Sequence, residues 1–273
     1  MGTLFVVASP IGNLGDITAR ALEVLRTVTH IAAEDTRRTR ALLTHFGISG
    51  KSLRSLHAHS TDHEARAFLA LLDEHDLALL SDAGTPMVND PGEALIRDAA
   101  AAGHRVVPIP GASAVLAALV GSGVGANGFR FVGFLPQSGG ARAAAIAKVV
   151  GTEETVILFE APGRTQATLA ELAERQPTRH ACVARELTKL HEEFVRGDLR
   201  TLAAREEWRG EIVIVLGPHA REVEAVDDAR IDARIDSELA KGTHPKTIAD
   251  MLATWAARPR REIYARVVAR KRG

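Results

Sequence analysis

Leu77-Ala78-Leu79-Leu80-Ser81-Asp82-Ala83-Gly84-Thr85-Pro86 joins four consecutive apolar residues to a loop of small ones. A short apolar run that stops at turn residues reads as a strand buried on both faces. The pattern recurs on either side. Thr3-Leu4-Phe5-Val6-Val7-Ala8 precedes Ser9-Pro10-Ile11-Gly12-Asn13-Leu14-Gly15-Asp16, and Arg105-Val106-Val107-Pro108 precedes Pro110-Gly111-Ala112-Ser113. His30-Ile31-Ala32-Ala33 is a weaker second strand. Helical patterns alternate with these strands. Residues 16–27 put Ile17, Ala21, Leu22 and Leu25 on one face, and Thr61-Asp62-His63-Glu64 is a capping box opening a helix with Phe68, Leu69 and Leu72 inward. Asp90-Pro91 with Glu93 starts another, and residues 113–120 form the next. Strand–helix alternation predicts an α/β domain with a parallel sheet over residues 1–121.

Gly121-Ser122-Gly123-Val124-Gly125-Ala126-Asn127-Gly128 holds four glycines in eight residues. With nothing in it to pack, residues 122–128 are expected to be a hinge. Residues 129–134, 155–159, 180–185, 194–196 and 211–216 read as strands, with helices near 141–150 and 164–175, so residues 129–217 predict a second α/β domain with a mixed sheet. Residues 225–240, 245–256 and 260–271 read as three helices of a C-terminal extension.

The chain has 273 residues, 46% hydrophobic and 25% charged, with 34 basic and 34 acidic side chains. That composition excludes a disordered or collagen-like chain, and no apolar run approaches the roughly 18 residues of a membrane span. The start of the chain lacks the basic residues of a signal peptide, and a cytoplasmic protein is expected. A single cysteine, Cys182, excludes an internal disulfide and cysteine-pair metal motifs, and reads as a core residue. The neutral total hides an asymmetry. Residues 241–273 carry nine basic side chains against Asp250 and Glu262, a net of +7, so the first 240 residues carry −7. This basic tail reads either as a solvated helical face or as a patch for a phosphate backbone.

Three small-residue loops after three strands point to a ligand crevice, because open α/β sheets bind ligands at the carboxyl ends of their strands. The loops contain neither a phosphate-binding P-loop nor Gly-x-Gly-x-x-Gly, and no Lys or Arg, which favours a neutral or cationic ligand over a polyphosphate. His57-Ala58-His59 with His63 lacks a completing ligand set, so no metal is expected, and His191-Glu192-Glu193 lacks a zinc-protease partner. Glu34-Asp35-Thr36-Arg37-Arg38, Phe159-Glu160-Ala161-Pro162-Gly163-Arg164 and Arg185-Glu186-Leu187-Thr188-Lys189 each follow a strand, and together suggest a polar cleft between the halves.

Read in order, Pro10-Ile11-Gly12-Asn13-Leu14-Gly15-Asp16-Ile17-Thr18, Glu34-Asp35-Thr36-Arg37, Ser81-Asp82-Ala83-Gly84-Thr85-Pro86, Asp90-Pro91-Gly92, Gly133-Phe134-Leu135-Pro136, Arg185-Glu186-Leu187-Thr188-Lys189 and Gly210-Glu211 carry a resemblance. Over residues 3–217 the chain resembles the ribosomal RNA small subunit methyltransferase I family of the tetrapyrrole-methylase-like (class III) superfamily. The tail resembles that family's small helix-turn-helix-like extension. Two departures stand out: Gly163 replaces the usual histidine of Glu-Ser-Pro-His-Arg, and Gln137-Ser138 follow Phe-Leu-Pro where a basic residue is usual.

The resemblance implies methyl transfer from S-adenosyl-L-methionine to the ribose 2′-hydroxyl of a cytidine, position 1402 of 16S rRNA in conventional numbering, within the small ribosomal subunit. It implies a homodimer. The cofactor is expected at Pro10, at Gly84, Thr85, Pro86, Met87 and Val88, at Ser113 and Ala114, and at Phe159 and Glu211. Asp35, Glu160 and Lys189 are the candidates for taking the hydroxyl proton, with Arg37, Arg38 and the tail on phosphates. Low aromatic content, 4%, favours backbone and shape recognition. Two other classes compete. A small-molecule tetrapyrrole methyltransferase would lack the basic tail and the Glu34-Asp35-Thr36-Arg37 cluster. A non-catalytic RNA-binding protein would fail to bind the cofactor.

Overall fold

The computed structural model describes residues 1–56, 62–88, 92–125, 128–219, 227–256 and 258–272, with the side chains of all but 62–65 and 272. The chain divides into two compact units, Met1–His219 and Ala220–Gly273. The box residue Thr61, the Asp90-Pro91 helix start and the His57-Ala58-His59 motif lie outside the described residues.

In the first unit β1 (Thr3–Val7), β2 (His30–Ala33), β3 (Ser52–Ser55), β4 (Leu77–Leu80) and β5 (Arg105–Ile109) form one sheet in the order β3-β2-β4-β1-β5. Every neighbouring pair is parallel. All four residues of β4 are buried, which is why its sequence runs apolar without alternation. Val7 is paired with both Leu80 and Ile109, so β1, β4 and β5 end level and their loops emerge side by side. Helices α1 (Ala19–Thr27) and α2 (Thr36–His45) cover one face through Ala21, Leu25 and Leu43. Helices α3 (Asp62–Glu74) and α4 (Glu93–Ala101) cover the other through Phe68, Leu72, Leu95 and Ala99.

Two local differences from the sequence reading have clear causes. α1 starts at Ala19 because the Thr18 hydroxyl accepts the Ala21 N–H, leaving Leu14–Asp16 as a separate 3-10 turn. α2 and β3 have too few apolar residues to announce themselves. α2 is started by Asp35, whose carboxylate accepts the Arg37 N–H at 2.8 Å, and it buries only Thr39 and Leu43.

A second sheet follows the order β6-β7-β10-β8-β9, from β6 (Phe129–Phe134), β7 (Thr155–Glu160), β8 (His180–Arg185), β9 (Glu193–Asp198) and β10 (Ile212–Leu216). β6 and β7 are parallel and the other pairs antiparallel, a mixed sheet. Helices α6 (Gly139–Val150), α7 (Pro162–Ala173) and α8 (Leu199–Ala203) cover one face. The other face is covered by α5 (Ala114–Ser122), which leaves the first sheet after β5 and buries Val115 and Ala118 against Ile157, Cys182 and Val215. Burial pushes the Cys182 thiol up to about 11, so it stays an inert core group.

α5 corrects the idea that nothing in the glycine-rich stretch packs. The helix runs to Ser122, which is fully buried, and the Phe194 ring fills the space where a Gly121 Cβ would sit. Arg196 donates to the carbonyls of Gly121 and Ser122, closing the helix end, before Gly123 turns the chain at φ +68°.

The second unit contains α9 (Asp228–Ala240), α10 (Pro245–Ala256) and α11 (Arg260–Arg272) around Ile231, Ile235, Ile248, Leu252, Ile263 and Val267. Its charges do not form the uncompensated patch the +7 total suggests. Arg266 pairs with Asp228 and Asp232, and Arg270 with Asp232 and Asp236, so α11 is laced to an acidic i, i+4 stripe on α9. Arg258 joins Asp228 and Glu262, and Arg260 joins Asp250. Among the described residues Arg230, Arg234, Lys246, Arg261 and Lys271 have no carboxylate partner, and Arg234 stacks over the Trp255 ring instead. No described helix is long and apolar enough to cross a membrane.

Arg179 anchors the second sheet. It is 2% exposed, and its guanidinium donates to the carbonyls of Gly217, Val149, Thr152 and Glu154 and to Gln176 Oε1. One fork thus ties the end of α6 to the start of β7 and the end of β10. Arg179→Met leaves these acceptors buried without donors and should cost about 3 kcal/mol or more, read as a lower urea midpoint. Arg179→Lys should recover little, because an ammonium cannot span the fork.

Candidate active site

The loops after β1, β4 and β5 are knitted together. Ser9 N–H donates to the Gly84 carbonyl at 2.8 Å and Gly84 N–H returns to the Ser9 carbonyl at 3.1 Å, an isolated antiparallel pair beyond the parallel sheet. Ser9 Oγ donates to the Ser81 carbonyl, and Thr85 Oγ1 to the Ala112 carbonyl. Gly84 has φ +78°, and a Cβ there would stand 3.2 Å from Ile11 Cγ2, so both the turn and the close approach require glycine.

These loops wall one side of a cavity of about 370 Å³ with Ile11, Gly84, Thr85, Val88, Ser113 and Ala114. The second sheet supplies Phe134, Phe159, Leu187, Glu211 and Val213 opposite them. Ser113 also caps α5 by accepting the Leu116 N–H. Phe131 packs edge-on to Phe159 at 4.9 Å, and Phe134, half exposed, lies 5.6 Å from it at the mouth. Among the described residues no Lys, Arg or His lines this space.

The rim is held by Glu186. Its Oε1 accepts both the Lys189 ammonium at 3.1 Å and the Glu211 N–H at 2.9 Å, while Lys189 also reaches Glu211 Oε2 at 3.2 Å. Gly210, at φ +83°, lies so close that any Cβ would strike the Glu186 carboxylate. The stem of Lys189 in turn rests on Gly12, where a Cβ would meet its Cγ at 2.6 Å, joining the loop after β1 to the loop after β8. Met87, Glu186 and Thr188 have φ of 72°, 50° and 66°, the only left-handed non-glycine residues among those described. All three lie in loops around the cavity, where such backbone costs about 1–3 kcal/mol each and is held by the surrounding contacts.

The sequence-predicted residues divide. Gly84, Thr85, Val88, Ser113, Ala114, Phe159 and Glu211 all line this cavity. Pro86 and Met87 belong to the same loop but not to its lining, and Pro10 faces a different cavity on the other side of the Ser9–Gly84 pair. Each of the three candidate bases is held by other protein groups. Asp35 caps α2 and is bidentate with Arg37, whose side-chain and backbone hydrogen bonds hold its carboxyl well below the usual range, a weak base. Glu160 lines the cavity, but its carboxylate is fully buried and accepts from Ala161 N–H, Thr168 Oγ1 and Arg164, so it fastens α7 to β7. Lys189 is partly desolvated, but its hydrogen bonds to the Glu186 and Glu211 carboxylates outweigh that and raise its pKa, keeping the ammonium charged. An amine must be neutral to accept a proton.

Glu186, Gly210, Ile11, Phe134 and Leu187 are site residues that sequence reasoning did not single out. Their signal lay in the motif series itself, which contains every one of them, but their roles depend on contacts between segments far apart in the chain. Among the described residues no group of three His, Cys, Asp or Glu side chains is placed to hold a metal ion.

Residues 3–203 match the family model described as Tetrapyrrole (Corrin/Porphyrin) Methylases. The chain is 44% identical over 271 residues to a "Ribosomal RNA small subunit methyltransferase I" of Xylella fastidiosa strain Temecula1, covering 96% of this chain and 98% of that one. To the protein of the same name from Micromonospora olivasterospora it is 43% identical over 97% of this chain and 86% of the other. Among solved structures, uroporphyrin-III C-methyltransferase from Thermus thermophilus, complexed with S-adenyl homocysteine, shares the fold at TM-score 0.57 and 21% identity, covering 80% of this chain and 97% of that one.

The rim makes a pH-dependent prediction. The Glu186 carboxyl sits below its ordinary 4.5, chiefly through the Glu211 N–H and then through Lys189. Its hold on the rim is therefore fully present above pH 4.5 and fades as pH falls below that value. Protection of the Glu211 amide, corrected for intrinsic exchange, should be constant from pH 7 to about 5 and drop in more acid solution. Glu186→Ala should show low protection throughout. A Glu186→Ala amide protected like wild type would remove Glu186 from this role.

Proposed function

The chain belongs to the ribosomal RNA small subunit methyltransferase I family of tetrapyrrole-methylase-fold proteins, and from that premise we propose that it is a cytoplasmic enzyme methylating the ribose 2′-hydroxyl of cytidine 1402 of 16S rRNA with S-adenosyl-L-methionine. The observation that carries the reading is the cavity itself: about 370 Å³, small-residue loops on one side, aromatic and apolar side chains on the other, and no lining cation among the described residues. A sulfonium donor suits a space without Lys or Arg, and Gly84 lets a ligand approach the backbone where a Cβ would stand. S-adenosyl-L-methionine, when bound, supplies an electrophilic methyl group.

In this reading Thr85, Val88, Ser113 and Ala114 hold the cofactor from the first sheet and Phe159 and Glu211 from the second. Pro86 and Met87 act through the shape of their loop. Methyl transfer is an in-line displacement, and alignment of the attacking oxygen can supply about 7–11 kcal/mol of the barrier. Asp35, Glu160 and Lys189 are committed to other bonds, so positioning carries the rate and the hydroxyl proton leaves to water. The Lys189 ammonium, held charged at the rim, favours an RNA strand there. A homodimer follows the family, and sedimentation of the intact chain checks it.

Two measurements test the reading. Gly84→Val adds a branched side chain at φ +78° beside Ile11, and cofactor affinity should fall at least tenfold with the fold retained, by calorimetry and circular dichroism. Mass spectrometry of 16S rRNA from cells lacking the protein should find one ribose methyl missing at cytidine 1402, and a complete modification there would defeat the proposal.

The helical unit contributes phosphate contacts only through cations not already paired. Replacing Arg230, Lys246, Arg261 and Lys271 with alanine should flatten the log–log salt dependence of RNA binding by about three, at 0.7–0.9 per lost contact. An unchanged slope would leave the unit with a packing role.

A further inference from the structure

Behind the Ser9–Gly84 pair lies a second cavity, of about 410 Å³. The partition between the two is one chain thick: Pro10 faces the second cavity and Ile11 the first, while Ser81 and Asp82 face the second and Ala83 and Gly84 the first. Leu14, Leu42 and Leu80 give the second cavity an apolar wall, and Arg38 and His45 of α2 give it nitrogen donors. Asp82 holds this arrangement in place. Its Oδ1 accepts the Asp35 N–H at 3.0 Å, its Oδ2 meets Arg38 Nη1 at 3.3 Å, and its own N–H donates to Glu34.

One feature of the cavity is unspent. Arg38 makes that one contact with a carboxylate and is otherwise two-thirds exposed, so most of its N–H groups are available. A space with an apolar wall and a largely unpaired guanidinium at one end, of a volume typical of small-ligand sites, matches a flat heterocycle carrying an anionic group.

We infer that this cavity is a nucleotide subsite for the substrate RNA, taking one nucleotide of the strand whose methylated residue faces the first cavity. The inference rests on the RNA-methylating reading given above. The ring of the base lies on Leu14 and Leu42, and the phosphate meets Arg38 and His45. Inorganic phosphate alone would use Arg38 and leave the leucine wall wet, so the site selects a nucleotide over a bare anion. The shared loops place the two cavities on either side of the Ser9–Gly84 pair, so a strand passing over that pair engages both.

The test titrates the full chain with cytidine 5′-monophosphate, following the methyl NMR signals of Leu14, Leu42 and Leu80. Saturable shifts are expected, weakened at least fivefold in Arg38→Ala. Ala41→Trp, which builds a ring into the cavity from an exposed position on α2, should abolish them. Both variants should bind S-adenosyl-L-methionine as wild type does and raise the KM for RNA at least tenfold more than they lower kcat. Equal shifts and affinity with inorganic phosphate would reduce the cavity to an anion site and overturn the inference. Nucleotide binding without any change in RNA KM would make free nucleotide the ligand and overturn it as well. Wild-type protein that binds cofactor but methylates no rRNA would defeat the preceding reading instead, while the nucleotide titration still judges this cavity.

Discussion

The two backbone hydrogen bonds between Ser9 and Gly84 are the constraint on which the functional half of this structure depends. The connections after β1 and β4 lead to helices on opposite faces of the sheet, α1 and α4. Here the chain after β1 and the chain after β4 meet again outside the sheet, antiparallel, at a glycine with φ +78°. That pair turns two loose connections into a rigid septum. One cavity forms on each side of it.

The second sheet meets these loops through the segment after β8. Glu186 and Thr188 are held in the left-handed region, Glu186 grips the Glu211 amide, and Lys189 lies across Gly12. Such strain persists only where neighbouring contacts over-determine it. Glu186, Lys189 and Glu211 supply those contacts at the rim. α5 contributes in a different way. It belongs by sequence to the first α/β half but buries its apolar face in the second sheet, so the cavity's two walls share a common helix.

Electrostatics here is mostly structural. Glu160, Asp35 and Lys189 are each what chemical intuition would choose as a proton acceptor. Each is instead bonded within the protein: Glu160 to Arg164, Thr168 and Ala161, Asp35 to Arg37, Lys189 to two glutamates. The same holds for the basic C-terminal unit, where Arg266 and Arg270 neutralise the acidic stripe of α9. Net charge over a stretch of sequence overstates the field that a partner meets when ion pairs close within the same unit.

What the sequence by itself determined was whatever depends on neighbours in the chain. Buried β4 and β10 announce themselves as apolar runs, the small-residue loops follow their strands, and the ordered motifs identify the family. α2 and β3 stayed hidden because their stabilisation comes from the sheet and from the Asp35 cap, not from periodicity. Only the tertiary structure decided that Pro10 and Ile11 face different cavities, that Glu186 governs the rim, and that three plausible bases are already bonded. The physical reason is common to all of these: a side chain's chemistry is set by the partners it meets, and here those partners lie far away in the chain or on the other side of a single backbone pair.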